Sequence, residues 1–210
     1  MKTASTPSDT IWRVTATRPY HHGNLREALL EQAEIALARD GAAALSLREL
    51  SREVGVSHGA PRRHFADKQA LLDALSESGF TKLGAALHDA IARAGPDFDT
   101  RMSALARAYV RFATEHAALL ELMFASKHRP GADRLHEASA QAFAPALELI
   151  AEGQAAGAVV PGDLDRVAMV AFAGMHGIAA LANSGLLGDT PLDELVDDAV
   201  ERLALGLRPR

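Results

Sequence analysis

"SLRELSREVGVSHGAPRRHFADKQALL", residues 46–72, holds helix-start signals, a glycine turn and a cluster of cations within one short run. Ser46-Leu47-Arg48-Glu49 has the form of a capping box, in which the serine side chain accepts from a free helix N–H and the glutamate reaches back. Leu47, Leu50 and Val54 then share one face of a short helix. Gly55-Val56-Ser57 turns the chain, and Ser57 is placed to cap a third, very short helix. Asp67 follows Phe65-Ala66 and caps a longer fourth one. A helix of one to two turns, set across a supporting helix by a glycine-containing turn, is the geometry that lays side chains in the major groove of DNA.

The side chains suit that use. Gly59 and Ala60 are small and permit close approach, and His58 can give or take a hydrogen bond at a base edge. Arg62, Arg63, His64 and Lys68 can face phosphates, and Lys68 also opens the fourth helix, where free N–H groups attract an anion. For Arg48 a base contact and a salt bridge to Glu49 or Glu53 both remain open. The chain as a whole is anionic, with net charge −5, and residues 1–75 carry net +1 against −6 for residues 76–210. Attraction to an anion is therefore local, acting within about one Debye length of roughly 8–10 Å.

Working outward, Asn24-Leu25-Arg26-Glu27 is a second capping box, and Leu25, Leu29, Ala33, Ala36 and Leu37 line one side of a first helix that stops at Gly41. The fourth helix buries Leu71, Leu75, Leu83, Leu87 and Ile91 and ends at Gly95-Pro96. From Asp99 to Ser126, Met102, Leu105, Tyr109, Phe112, His116, Leu119 and Met123 keep helical phase and predict one long helix. Another spans about 132–156, with Pro145 expected to kink or split it. Asp163 to Asn183 is expected to form a helix buried on most sides, and Thr190-Pro191 opens the last one, with Leu192, Leu195, Val196, Ala199 and Leu203 as its apolar face.

At 210 residues and 48% apolar content the chain can build a real core, and the fold class is all-α. The absence of cysteine excludes disulfides and thiolate zinc chemistry. Val167 to Gly188 is 22 residues without Asp, Glu, Lys or Arg, but His176, Asn183 and the lack of flanking Trp or Tyr favour a soluble helix over a membrane span. The first 18 residues lack the apolar core of a secretory signal, so a cytoplasmic location is expected.

From Tyr20 to about Leu75 the chain resembles the tetracycline-repressor (TetR) family of transcription regulators, in "YHHGNLREALL", "LSLRELSREVGVSHGAPRRHFADKQALL" and the lengths between them. The resemblance implies a disordered tail over residues 1–19, a helix-turn-helix domain over 20–66, a connecting helix over 67–95 and a ligand-binding and dimerisation domain over 96–210. It implies DNA contacts from Arg48, Ser57, His58, Gly59, Ala60, Arg62, Arg63, His64 and Lys68, with Phe65 packed inside. Two departures stand out: Arg62 replaces the family's usual Tyr, and Pro61 replaces a Leu or similar residue, which is expected to distort the start of the third helix. The "HGAP" variant is similar to a subgroup with a Trp-His-Gly signature, where this chain has Met175-His176-Gly177.

Regulators of this family bind small molecules inside the C-terminal bundle. By that resemblance Phe112, Met123, Phe143, Phe172 and Met175 form an apolar, adaptable lining, with His116 and His176 as orienting polar groups; on phase alone both histidines read first as core residues with one satisfied hydrogen bond. Exposed apolar faces on the last two helices predict a homodimer, with Leu181, Leu195, Val196, Ala199 and Leu203 at the interface. The tail arginines Arg13 and Arg18 are expected to be disordered. His21-His22 and the pair His128 and His136 lack the carboxylate partner of an HExxH site, so no metal or cofactor is expected. Nor is there a GxSxG elbow, P-loop or GxGxxG, and no enzyme activity is expected. The expected partners are a double-stranded DNA operator and a small-molecule effector, with a vestigial DNA motif on a ligand-binding bundle or enzyme as the alternative.

Overall fold

The computed structural model describes residues 25–207. The helices are α1 (Leu25–Ala44), α2 (Leu47–Val54), α3 (Lys68–Arg93), α4 (Phe98–Glu115), α5 (Ala117–Lys127), α6 (Asp133–Ala155), α7 (Leu164–Asn183) and α8 (Leu192–Leu207), with a single 3-10 turn at Pro61–Arg63. The fold is all-α, as the sequence predicts. The Asn24 capping box, His21-His22, Arg13, Arg18 and the expected tail lie outside the described residues.

Glycine and aspartate set the boundaries. Gly41 breaks the end of α1 with φ 78 and ψ 167. Gly55 closes α2 in the left-handed conformation, φ 77, which a side chain disfavours. The Asp67 carboxylate accepts from the Ala70 N–H at 2.8 Å and starts α3, while Asp97 and Asp163 cap α4 and α7 in the same way.

Helix α3, the predicted fourth helix, is the central element: it packs on α4, α5 and α6 and also on α1. Leu71, Leu75, Phe80, Leu83 and Leu87 along it are all at most 1% exposed. Two of its glycines allow close approach, since a Cβ at Gly79 would stand 2.5 Å from Met123 Sδ and one at Gly84 would stand 3.0 Å from Ala142 Cα. Its N-terminal part therefore belongs to the α1–α2 unit and its remainder to the bundle of α4 to α8.

Four expectations are corrected. Ser46 makes no side-chain capping bond, and the Glu49 carboxylate that would reach back to it is paired with Arg52 at 2.8 Å. The long helix of 99–126 is two helices, broken at His116 (φ −122, ψ 41); the His116 N–H still donates to Phe112 O and its carbonyl still accepts from Leu120 N–H, so apolar phase carries across the break. Helix α6 continues through Pro145. Helix α7 is largely uncovered within the protomer, with Met169, Val170 and Leu181 63%, 55% and 43% exposed.

Candidate nucleic-acid interface and ligand cavity

The segment after Gly55 is shaped by Pro61. The Ala60 N–H donates to Ser57 O at 2.9 Å, and Pro61 O accepts from the N–H groups of both His64 and Phe65 at 2.9 Å. Proline cannot donate to a preceding carbonyl, so the third helix shrinks to one 3-10 turn with the Pro61 ring fully buried beneath it. Phe65, 2% exposed, plugs the inner side, and the Arg26 guanidinium lies 5.7 Å from its ring centroid. The predicted cap at Ser57 is replaced by this turn, with Ala60 in the capping position.

The outer side is left to the predicted DNA residues. Ser57, His58, Gly59, Arg62, Arg63 and His64 are exposed, Ala60 is half-buried, and Arg48 is exposed in the first turn of α2. Among the described residues Arg48, Arg62 and Arg63 have no carboxylate partner. The salt bridges open to Arg48 do not form, since Glu49 is taken by Arg52, and Glu53 accepts from Gln32 at 3.1 Å and from Arg39 at 3.2 Å. Gly59 has nothing within 4 Å of where a Cβ would stand, and its φ is ordinary. Neither packing nor backbone strain within the protomer demands a glycine there. Lys68 departs from expectation: its Nζ donates to Ala43 O at 2.6 Å, tying α3 to the end of α1, which leaves only its remaining N–H bonds for a phosphate.

In the bundle lies a cavity of about 360 Å³, bounded by α3, α4, α5, α6, α7 and α8, within the range of roughly 300–1,000 Å³ typical of ligand sites. Of the predicted lining residues, Phe143, Phe172 and Met175 face it. Phe112, His116, Met123 and His176 do not. Met123 is fully buried in the notch opposite Gly79, and Phe112 is buried beside His116, ring centroids 4.8 Å apart. His116 sits at the α4–α5 break with Nδ1 3.0 Å from Glu34 Oε1 on α1. His176 stands behind the wall: its Nδ1 is 2.8 Å from Tyr109 Oη, and its ring stacks on Phe172 at 5.4 Å. It orients two residues that do line the cavity.

Tyr109, Phe124 and Lys127 also line the cavity, a role the sequence pattern assigned to none of them. Burial pushes the Tyr109 hydroxyl well above the ordinary phenol range, so it stays neutral, and burial pulls the Lys127 ammonium below the ordinary lysine value. The Lys127 Nζ lies 4.7 Å from the Phe124 ring centroid. Among the described residues no group of three or more His, Asp or Glu side chains could hold a metal; His128 and His136 approach to 6.3 Å between ring centroids without a third.

Two polar links tie this cavity's helices to the N-terminal unit. Arg129, just after α5, meets both carboxylate oxygens of Asp73 on α3 at 2.6 Å. Glu34 on α1 holds both His116 and Lys82 of α3.

Sequence models of known families match both halves: the bacterial regulatory proteins of the tetR family over residues 29–75, and a tetracyclin repressor-like C-terminal domain over residues 102–205. The chain belongs to the TetR family of transcription regulators. A Rhodococcus sp. RHA1 protein of unknown function is 50% identical, with a TM-score of 0.85 over 91% of this chain and 100% of that one. A TetR-family transcription regulator from Marinobacter aquaeolei VT8, at 20% identity, shares the fold with a TM-score of 0.69 over 88% of this chain and 96% of that one. So does a TetR-family regulatory protein from Rhodococcus RHA1, at 18% identity and TM-score 0.69, over 88% of this chain and 97% of that one. No curated protein matches the sequence. The family is one of DNA-binding regulators, and the matched N-terminal stretch, residues 29–75, includes the 57–64 edge.

The predicted dimer residues divide. Leu181 is exposed, but Val196 is 1% exposed inside the protomer, Leu203 lines the cavity and fills the notch at Gly174, and Leu195 and Ala199 pack half-buried against the core. Periodicity located the apolar face of α8, and within the protomer that face packs on α4 and α7.

Proposed function

We propose that this chain is a cytoplasmic, homodimeric repressor that binds a palindromic operator and is released from it by a small apolar or amphipathic effector held in the bundle cavity. Residues 20–66 form the DNA-binding domain, 67–95 the connecting helix, and 96–210 the effector and dimer domain. The observation that carries the reading is that Arg48, Arg62 and Arg63, exposed in the 46–65 segment, are unpaired among the described residues, together with a Gly59 that the protomer does not itself require. Cations left without carboxylates on a protein of net charge −5 are suited to phosphates, and an open Gly59 is suited to a groove wall.

The exposed side of α7 supports dimerisation. Met169, Val170, Ala173, Gly177 and Leu181 recur at helical spacing, and the small residues permit close approach of a second α7 about a two-fold axis. Such a dimer sets the two reading edges on successive major grooves, roughly 34–36 Å apart.

Release follows from α3, which is shared by both parts. An effector that moves α4 or α5 pulls on Asp73 through Arg129 and on α1 through the Glu34 contacts. To move the population from 1:99 to 99:1 it must prefer the released state by about 5.5 kcal/mol.

Selecting bound fragments from the source organism's genomic DNA and sequencing them tests this. The expected result is a few enriched fragments sharing an inverted repeat. Recovery of no fragment at moderate salt favours a ligand-binding bundle with a vestigial motif, and uniform recovery favours sequence-independent binding.

A further inference from the structure

We propose that the cavity takes an anionic amphiphile, with its negatively charged head on Lys127 Nζ and its apolar body among Tyr109, Phe124, Phe143 and Phe172. The proposal rests on the reading of the cavity as the effector site and names the chemistry of its ligand.

Of the described residues that line the cavity, Lys127 alone carries a positive charge. It occupies the last turn of α5 and is half-buried. Among the described residues no carboxylate pairs with it; its ammonium lies instead over the Phe124 face, 4.7 Å from the centroid. A ring quadrupole compensates a desolvated cation only in part, and an anion offers it much more. The strongest unmet electrostatic demand of the cavity is therefore for a negative group.

Asp99 and Asp165 also border the cavity, which raises the opposite possibility of a cationic ligand. Both are exposed, and both stand in the first turns of their helices, α4 and α7. A carboxylate there is already stabilised by water and by the helix N-terminus, so it gains little from a ligand cation. Asp99 also lies ten residues before Tyr109, roughly 15 Å along α4. Lys127 by contrast lies beside Phe124, whose ring contacts both Phe143 (6.5 Å) and Phe172 (6.0 Å). The cation and the aromatic wall that would hold the apolar body are thus side by side.

The position of the head also connects it to DNA release. Arg129, two residues beyond Lys127, is the residue that grips Asp73 of α3. An anion drawn onto Lys127 acts next to the link that holds the connecting helix.

The test is calorimetric titration of the full chain with dodecanoate, dodecanol and dodecylammonium, each below its micellar concentration at neutral pH. Dodecanoate is expected to bind about ten- to a hundredfold more tightly than dodecanol, the span of a charged hydrogen bond, with dodecylammonium weakest. Shortening dodecanoate to decanoate should weaken it by about fourfold per methylene. Lys127→Met should remove the excess of dodecanoate over dodecanol, and Lys127→Arg should keep it. Equal binding of the three heads, tighter binding of the ammonium, or an anion preference that survives Lys127→Met overturns the assignment of the head, with the cavity as binding site still standing. If none of the three binds, the cavity reading itself fails.

Discussion

Replacing both Arg62 and Arg63 by alanine tests the reading edge quantitatively. Both side chains are exposed and unpaired among the described residues, so their loss leaves no orphaned acid behind, and folding stability should change little. Each phosphate contact contributes about 0.9 to the slope of log affinity against log salt. In a two-fold dimer the double variant loses four contacts, so its slope should be shallower by about 3.6. The disadvantage of the variant relative to the parent should then shrink by roughly 150-fold between 50 mM and 200 mM salt. Fluorescence anisotropy on one labelled operator across that range measures it, with thermal melts to confirm an unchanged fold. Parallel lines for parent and variant would refute the phosphate role, whatever the affinities. A slope change of about half the expected size would mean that only one of the two arginines reaches the backbone, or that only one protomer binds.

Two alanine substitutions should separate DNA approach from packing. Gly59→Ala meets nothing within 4 Å, so melting should be unaffected, while operator affinity drops by about tenfold or more, equivalent to about 1.4 kcal/mol. Gly79→Ala drives a methyl to 2.5 Å from the Sδ of a fully buried Met123; overpacking of about 1–3 kcal/mol outweighs a helix-propensity gain of about 1 kcal/mol, and chemical denaturation should show the net loss. Val170→Asp, on the exposed face of α7, should leave the monomer folded but weaken dimerisation by roughly 3 kcal/mol or more, seen as a half-mass species in sedimentation. A dimer that survives this change would place the interface elsewhere.

Much of this architecture is legible in the sequence because its boundaries are local. Gly55, Asp67, Gly95 and Asp163 act through their own backbone or side chain, and each ends or starts a helix where it stands. The break at His116 is not legible, because the carbonyl and N–H bonds on either side preserve the phase of Phe112, Leu119 and Met123. The Pro61 distortion is legible in kind, and its outcome, one 3-10 turn over a buried ring, depends on the pocket beneath it. The cavity lining is the least legible feature. Helical phase says that Met123 and Phe172 both point inward, but whether each meets a packed neighbour or an open space is decided by a different helix, as Gly79 shows for Met123. Lys127 carried a signal that was available: it follows Phe124 by one turn on an apolar helix, where a cation is either snorkelling to solvent or serving a site.

The most direct measurement of how this chain meets DNA is protection of guanine N7, an atom of the major groove, on an operator recovered from the genomic selection. Two protected patches on one face of the duplex, about one helical turn apart and lost together in the Arg62, Arg63 double variant, are the predicted result. A single patch, protection confined to the minor groove, or a pattern indifferent to both arginines would contradict it.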